Sequence, residues 1–193
     1  MINERTLVII KPDGVQRNLV GDIISRFEGI GLKIVGLQFR VPTESEVREH
    51  YTLDPNWVEL VGKKLIEAKV KSGENDWKDR DAREVGGDIL ERLITYIIAG
   101  PVAMVVVEGV HAAEVVRKIV GGTEPRSSDV GTIRGDYVLD SYALAERDKR
   151  AVRNLVHASG SVEEAEKEIA LWFSSDQLVT YTHVQEKILY GDL

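Results

Sequence analysis

Leu7, Val8, Ile9 and Ile10 form an unbroken apolar run that Lys11-Pro12-Asp13-Gly14 closes at once. A strand with one wet face alternates apolar and polar residues, so a continuous run suits a strand covered on both faces. The closing residues are turn formers, and they leave a lysine at the tip of a buried strand.

The rest of the chain supplies the layers such a strand needs. Val20, Ile23, Ile24 and Phe27 recur at helical spacing, and Gly29 and Gly31 end that helix. Val35, Leu37, Phe39 and Val41 alternate as in a second strand. Thr43-Glu44-Ser45-Glu46 has the pattern of a capping box opening a second helix. From Pro55 to Ala99 the chain reads as helical and charged, with apolar stripes at Leu60, Val61, Leu65 and at Leu90, Leu93, Ile94, Ile97. Lys71 to Asp76 and Gly86-Gly87 read as surface loop between them. Val102 to Val107 is a third strand. Ala112, Val115, Val116 and Ile119 mark a helix ending at Gly121-Gly122. Tyr137 to Asn154 is charged and poorly patterned, and Ser161-Val162-Glu163-Glu164 reads as a second capping box. Two βαβ halves in this order, with a short strand before the last helices, suit one α+β domain over 1–193. The expected form is a ferredoxin-like sandwich, a four-stranded antiparallel sheet covered on one face by helices, with an additional helical insertion.

Composition narrows the function. A net charge of −7 argues against a general nucleic-acid binder, which needs an excess of cations facing phosphates. A local cation cluster inside an acidic chain remains compatible with a phosphate-bearing ligand. No window has the 18 or more apolar residues of a spanning helix, and the apolar run near the amino terminus is too short for a signal peptide. The chain has no cysteine, hence no disulfide framework and no thiolate zinc site. The cytoplasm is the expected compartment.

Neither G-x-x-x-x-G-K-[ST] nor G-x-G-x-x-G occurs, so phosphates would have to be bound by side chains. Three segments hold suitable residues: Arg5 to Arg17, Arg117 to Asp136, and Arg153 to Glu168. In them stand Lys11-Pro12-Asp13-Gly14-Val15-Gln16-Arg17, Gly131-Thr132-Ile133-Arg134-Gly135-Asp136, and Arg153-Asn154-Leu155-Val156-His157-Ala158-Ser159. Ala165-Glu166-Lys167-Glu168-Ile169-Ala170-Leu171-Trp172-Phe173 follows. In this order the strings resemble the nucleoside diphosphate kinase family. The resemblance covers most of the chain except insertions at about 63–90 and 138–150.

The resemblance implies a phosphotransferase that moves the γ-phosphoryl group of ATP, or another nucleoside triphosphate, onto a nucleoside diphosphate through a phosphohistidine at His157. Imidazole is nucleophilic near neutral pH and needs no separate base. Glu168 would hold the other ring nitrogen, as the orienting member of a triad does. Lys11, Arg117 and Arg134 would grip phosphate oxygens. Thr123 and Asn154 would donate hydrogen bonds to phosphate and sugar, and Tyr51 would support the histidine side of the pocket. Mg²⁺ would sit mainly on the nucleotide's phosphates and water, with no protein ligand. Trp57 stands near the place of the family's base-stacking aromatic residue. A homohexamer of broad base specificity is implied, with the loop from Gly122 to Asp136 at subunit contacts and no membrane or nucleic-acid partner.

The chain departs from the pattern at Ala158 and Gly160, where the family more often has glycine and aspartate; Ser161 can take the helix cap that Gly160 cannot. His50, His111 and His183 read as ordinary core or surface histidines. Two other classes fit parts of the sequence, a non-catalytic binding protein and a histidine phosphocarrier. The intact set Lys11, Arg117, Arg134, Asn154, His157 and Glu168 argues against the first, and a coupled assay between ATP and a nucleoside diphosphate separates all three.

Overall fold

A computed structural model describes residues 4–191. In chain order the elements are β1 (Glu4–Ile10), α1 (Pro12–Gln16), α2 (Val20–Glu28), β2 (Lys33–Arg40), α3 (Glu44–Thr52), α4 (Trp57–Lys71) and α5 (Ala82–Ile97). There follow β3 (Val102–Gly109), α6 (Ala112–Val120), α7 (Ile133–Tyr137), α8 (Tyr142–Arg147), β4 (Val156–Ala158), α9 (Val162–Trp172) and α10 (Glu186–Tyr190). The four strands form one antiparallel sheet in the order β2-β3-β1-β4. The ferredoxin-like α+β sandwich expected from the sequence is therefore the fold.

The sheet is covered on both faces, not one. Leu7, Ile9, Met104 and Val106 pack with Val47 of α3, Leu90, Ile94 and Ile97 of α5, and Ile169 and Trp172 of α9. Val8, Ile10, Val105 and Val107 pack on the other face with Ile23 and Phe27 of α2 and Val116 and Val120 of α6. Successive residues of a strand point to opposite faces, so two covers require apolar residues at every position of the buried stretches, Leu7–Ile10 of β1 and Val102–Val107 of β3. The run Leu7–Ile10 already carried that requirement.

β2 behaves differently. A bulge between Ile34 and Gly36 shifts its register against β3, so Val35 is buried while Leu37 and Phe39 are exposed on this edge strand. The extra residue of a bulge re-aims all that follows, and the alternation seen in the sequence did not reveal it.

Four local expectations are corrected. Gly86-Gly87 lies inside α5, not in a loop. Gly62 of α4 and Gly86 face each other's helices so closely that a Cβ at Gly62 would strike the Ala82 carbonyl, and one at Gly86 the Val58 carbonyl. These glycines let two backbones touch; they do not break a helix. The inward face of α4 accordingly runs through Gly62, while Leu60 is exposed. The unpatterned stretch after Tyr137 contains α8, started by the Ser141 side chain accepting from Leu144 N; the Arg150 guanidinium donates to both oxygens of buried Asp140. The box at Thr43 and Glu46 is complete, but the one at Ser161 is half-formed. Ser161 Oγ accepts from Glu164 N, and the Glu164 carboxylate accepts from Gly160 N instead of Ser161 N.

Candidate active site

β4 pairs with β1 so that His157 stands opposite Ile9. Directly opposed residues share a face, and so does Lys11, two residues beyond Ile9. That face also carries α3 and α9, which bring His50, Tyr51, Glu168 and Trp172 to the same place. Leu155 reaches the strand with φ +62, a left-handed conformation that costs a non-glycine residue free energy. Its carbonyl accepts from Lys11 N at 2.7 Å, tying the segment before His157 to the end of β1.

Glu168 is buried, with Oε1 2.9 Å from His157 Nε2 and Oε2 receiving the Ser159 hydroxyl at 2.6 Å. Ser159 Oγ in turn accepts from Leu7 N. Burial alone pushes the Glu168 carboxyl up. The charge and hydrogen bond of His157, with His50 and Ser159, outweigh it and hold the group down at about 2. An ionised carboxylate only accepts, so His157 Nε2 carries the proton and Nδ1 of the neutral ring is bare. That is the tautomer a nucleophilic imidazole needs.

The cations divide into two kinds. Lys11 is buried, and its Nζ donates to Asn154 Oδ1 at 2.7 Å. Burial, then the nearby Arg134 charge, lowers its pKa to about 7 against the opposing pull of Asp13. Arg134 is buried too, and donates to the carbonyls of Asn154, Gly121, Gly122 and Val156. It thus braces the backbone on both sides of Leu155. Arg117 is exposed in the last turn of α6. Its Nη1 is 3.7 Å from where a Cβ on Gly160 would stand, which places it beside the loop after His157.

The remaining expected residues are also nearby. Asn154 Nδ2 donates to the Thr123 carbonyl, so both ends of that amide are engaged, while Thr123 itself is exposed. Tyr51 is half-buried against His50, ring centroids 4.9 Å apart. Trp57 leans on Tyr51 at 5.1 Å and packs on the core.

His50 was not expected here. It is buried, accepts the Trp172 indole N–H on Nδ1 at 3.1 Å, and stands edge-on to His157 with centroids 4.5 Å apart. Its ligand atom lies within 4.8 Å of those of His157 and Glu168, though hydrogen bonds already occupy that carboxylate. Ser159 was also missed. Its place two residues after His157, directly past the end of β4, is the signal that could have found it, since residues i and i+2 of an extended chain lie on one face.

A family profile described as nucleoside diphosphate kinase matches residues 4–57 and 55–178. A nucleoside diphosphate kinase from Pyrobaculum aerophilum is 45% identical over 91% of this chain and 98% of its own. The chain belongs to the nucleoside diphosphate kinase family.

Two solved members of the family extend the comparison. The enzyme of Borrelia burgdorferi, a transition state mimic with bound vanadate and ADP, is 33% identical, covers 100% of this chain and 99% of its own, and superposes with TM-score 0.81. A halophilic nucleoside diphosphate kinase from Halobacterium salinarum in complex with CDP is 33% identical over 98% and 99% of the two chains, with TM-score 0.70. The protein is thus a nucleotide phosphotransferase. Among the described residues no helix is long and apolar enough to cross a membrane.

Proposed function

We propose that the chain transfers the γ-phosphoryl group of a nucleoside triphosphate to a nucleoside diphosphate in two half-reactions, with a phosphohistidine at His157 Nδ1 between them. The observation that carries this is the Glu168–His157 pair, which fixes the proton on Nε2 and leaves the Nδ1 lone pair for phosphorus. Nδ1 attacks the γ-phosphorus, the bond to the β-phosphate oxygen breaks, and the diphosphate leaves with that electron pair. The acceptor's terminal oxygen then reverses the step.

Lys11 and Arg117 supply positive charge to phosphate oxygens. Arg134 and Asn154 hold the loop and Lys11 in place and offer their remaining N–H capacity, and Thr123 adds a hydroxyl at the rim. Tyr51 supports the histidine side. Trp57 provides a stacking face, and stacking accepts any base because every base has a π-face; the solved relatives with ADP and with CDP support breadth.

The donor set around His157 is cationic and amidic, and the carboxylate of Glu168 is taken up by His157 and Ser159. This fits Mg²⁺ carried on the nucleotide's own phosphates and water, where it offsets phosphate charge. The working form is a homohexamer of single-domain chains in the cytoplasm, with insertions at about 63–90 and 138–150. Apolar side chains left in water at Leu37 and Phe39 on the β2 edge, at Val130 within the loop Gly122 to Asp136, and at Leu139 just after it, support subunit contacts there. Initial rates with ATP and a nucleoside diphosphate should give parallel double-reciprocal lines; lines that converge would refute the two-step scheme.

A further inference from the structure

His50 has no part in the scheme above, yet it is built into the site from three sides. It stands on α3, receives Trp172 of α9, and meets the His157 ring of β4 edge-on at 82°. An indole N–H only donates, so His50 Nδ1 is unprotonated and the neutral ring carries its hydrogen on Nε2. That Nε2 faces Glu168 Oε1 at 3.6 Å. The separation is too long for a formed hydrogen bond, but an N–H dipole at that range still acts on a buried carboxylate. Burial above all keeps the ring neutral, against the pull of Glu168. A cationic His50 would compete with His157 for Glu168; a neutral one steadies the carboxylate without displacing it.

We propose that His50 is a positioning residue: fixed by Trp172 as the Nε2–H tautomer, it braces the Glu168 carboxylate and walls one side of the His157 ring, so that His157 Nδ1 stays presented. The proposal rests on the phosphohistidine scheme.

The test uses the full-length protein without nucleotide, with histidine tautomers read from ¹⁵N shifts, alongside kcat and KM. The wild type should show His157 as one tautomer, protonated on Nε2. His50→Phe should mix the His157 tautomers and lower kcat about 10- to 100-fold with KM changed less than about two-fold. His50→Gln should recover most of the rate, since its carbonyl can accept from Trp172 and its amide can face Glu168. Should His50→Phe not fold, Trp172→Phe keeps the His50 ring in place and should lower kcat in the same way, with His50 now populating Nδ1–H. Unchanged tautomers and kcat in either variant would overturn the proposal, as would a His50→Gln enzyme no better than His50→Phe. Failure of the underlying scheme is distinguishable: phosphoryl labelling would then persist in His157→Ala, whereas the tautomer measurement requires no turnover.

Discussion

Glu168 and His157 are joined through Nε2 at 2.9 Å, and the carboxylate that makes the bond is all but sealed from water. Glu168→Ala removes the acceptor that selects the tautomer while leaving the nucleophile in place. Phosphoryl transfer from ATP to the protein should slow by about 10²–10³-fold, as for other orienting groups, yet still go to completion. Rapid-quench labelling checks this, and a rate within a few-fold of wild type would count against the assigned role.

Lys11 couples nucleotide binding to protons. Its folded pKa of about 7 lies well below the ordinary 10.5, so near pH 8 the free site holds mostly neutral amine. Phosphate oxygens favour the ammonium form, and ADP binding at pH 8 should take up close to one proton. The sign for stability follows: between about pH 7 and 10.5 the unfolded chain binds more protons than the folded one, so this group makes the free protein more stable as pH rises. Calorimetry in two buffers of different ionisation enthalpy measures the uptake. It should vanish near pH 6 and in Lys11→Met, and its absence at pH 8 would contradict the burial argument.

The α4–α5 crossing makes opposite predictions for neighbouring glycines. Gly86→Ala places a methyl group on the Val58 carbonyl, whereas a Cβ at Gly87 meets nothing. The first should lose about 1–3 kcal/mol of unfolding free energy. The second should be neutral or gain up to about 1 kcal/mol from helix propensity. Denaturant unfolding of the two variants at one protein concentration decides it.

Trp57→Ala tests base recognition. If the indole offers only a stacking face, KM should rise for purine and pyrimidine diphosphates alike, by about 1–3 kcal/mol per base, with kcat little changed. A loss confined to one base would point to hydrogen-bond readout instead.

The run Leu7–Ile10 located the central strand and its two covered faces, because strand burial is written directly in residue type. Lys11 and His157 could be named because the strings around them are short, local and ordered. The β2 bulge left no such mark, since a one-residue register shift changes which face is wet without changing composition. Gly86 misled because glycine serves both to break helices and to let them approach. His50 became visible only when the packing of α3 and α9 brought it to Glu168, a tertiary contact with no local signature, whereas Ser159 stands two residues from His157, a spacing that the sequence does carry.

A covalent phosphohistidine at His157 would carry the γ-phosphoryl group on the protein itself, where a radioactive label reveals it. Incubated with ATP phosphorus-labelled at the γ position, with Mg²⁺ and no acceptor, the protein should take up close to one phosphoryl group per chain. The label should be lost in acid, survive alkali and transfer to added nucleoside diphosphate, and His157→Ala should take up none. Label that requires both nucleotides to be present, or that persists in His157→Ala, would contradict the account.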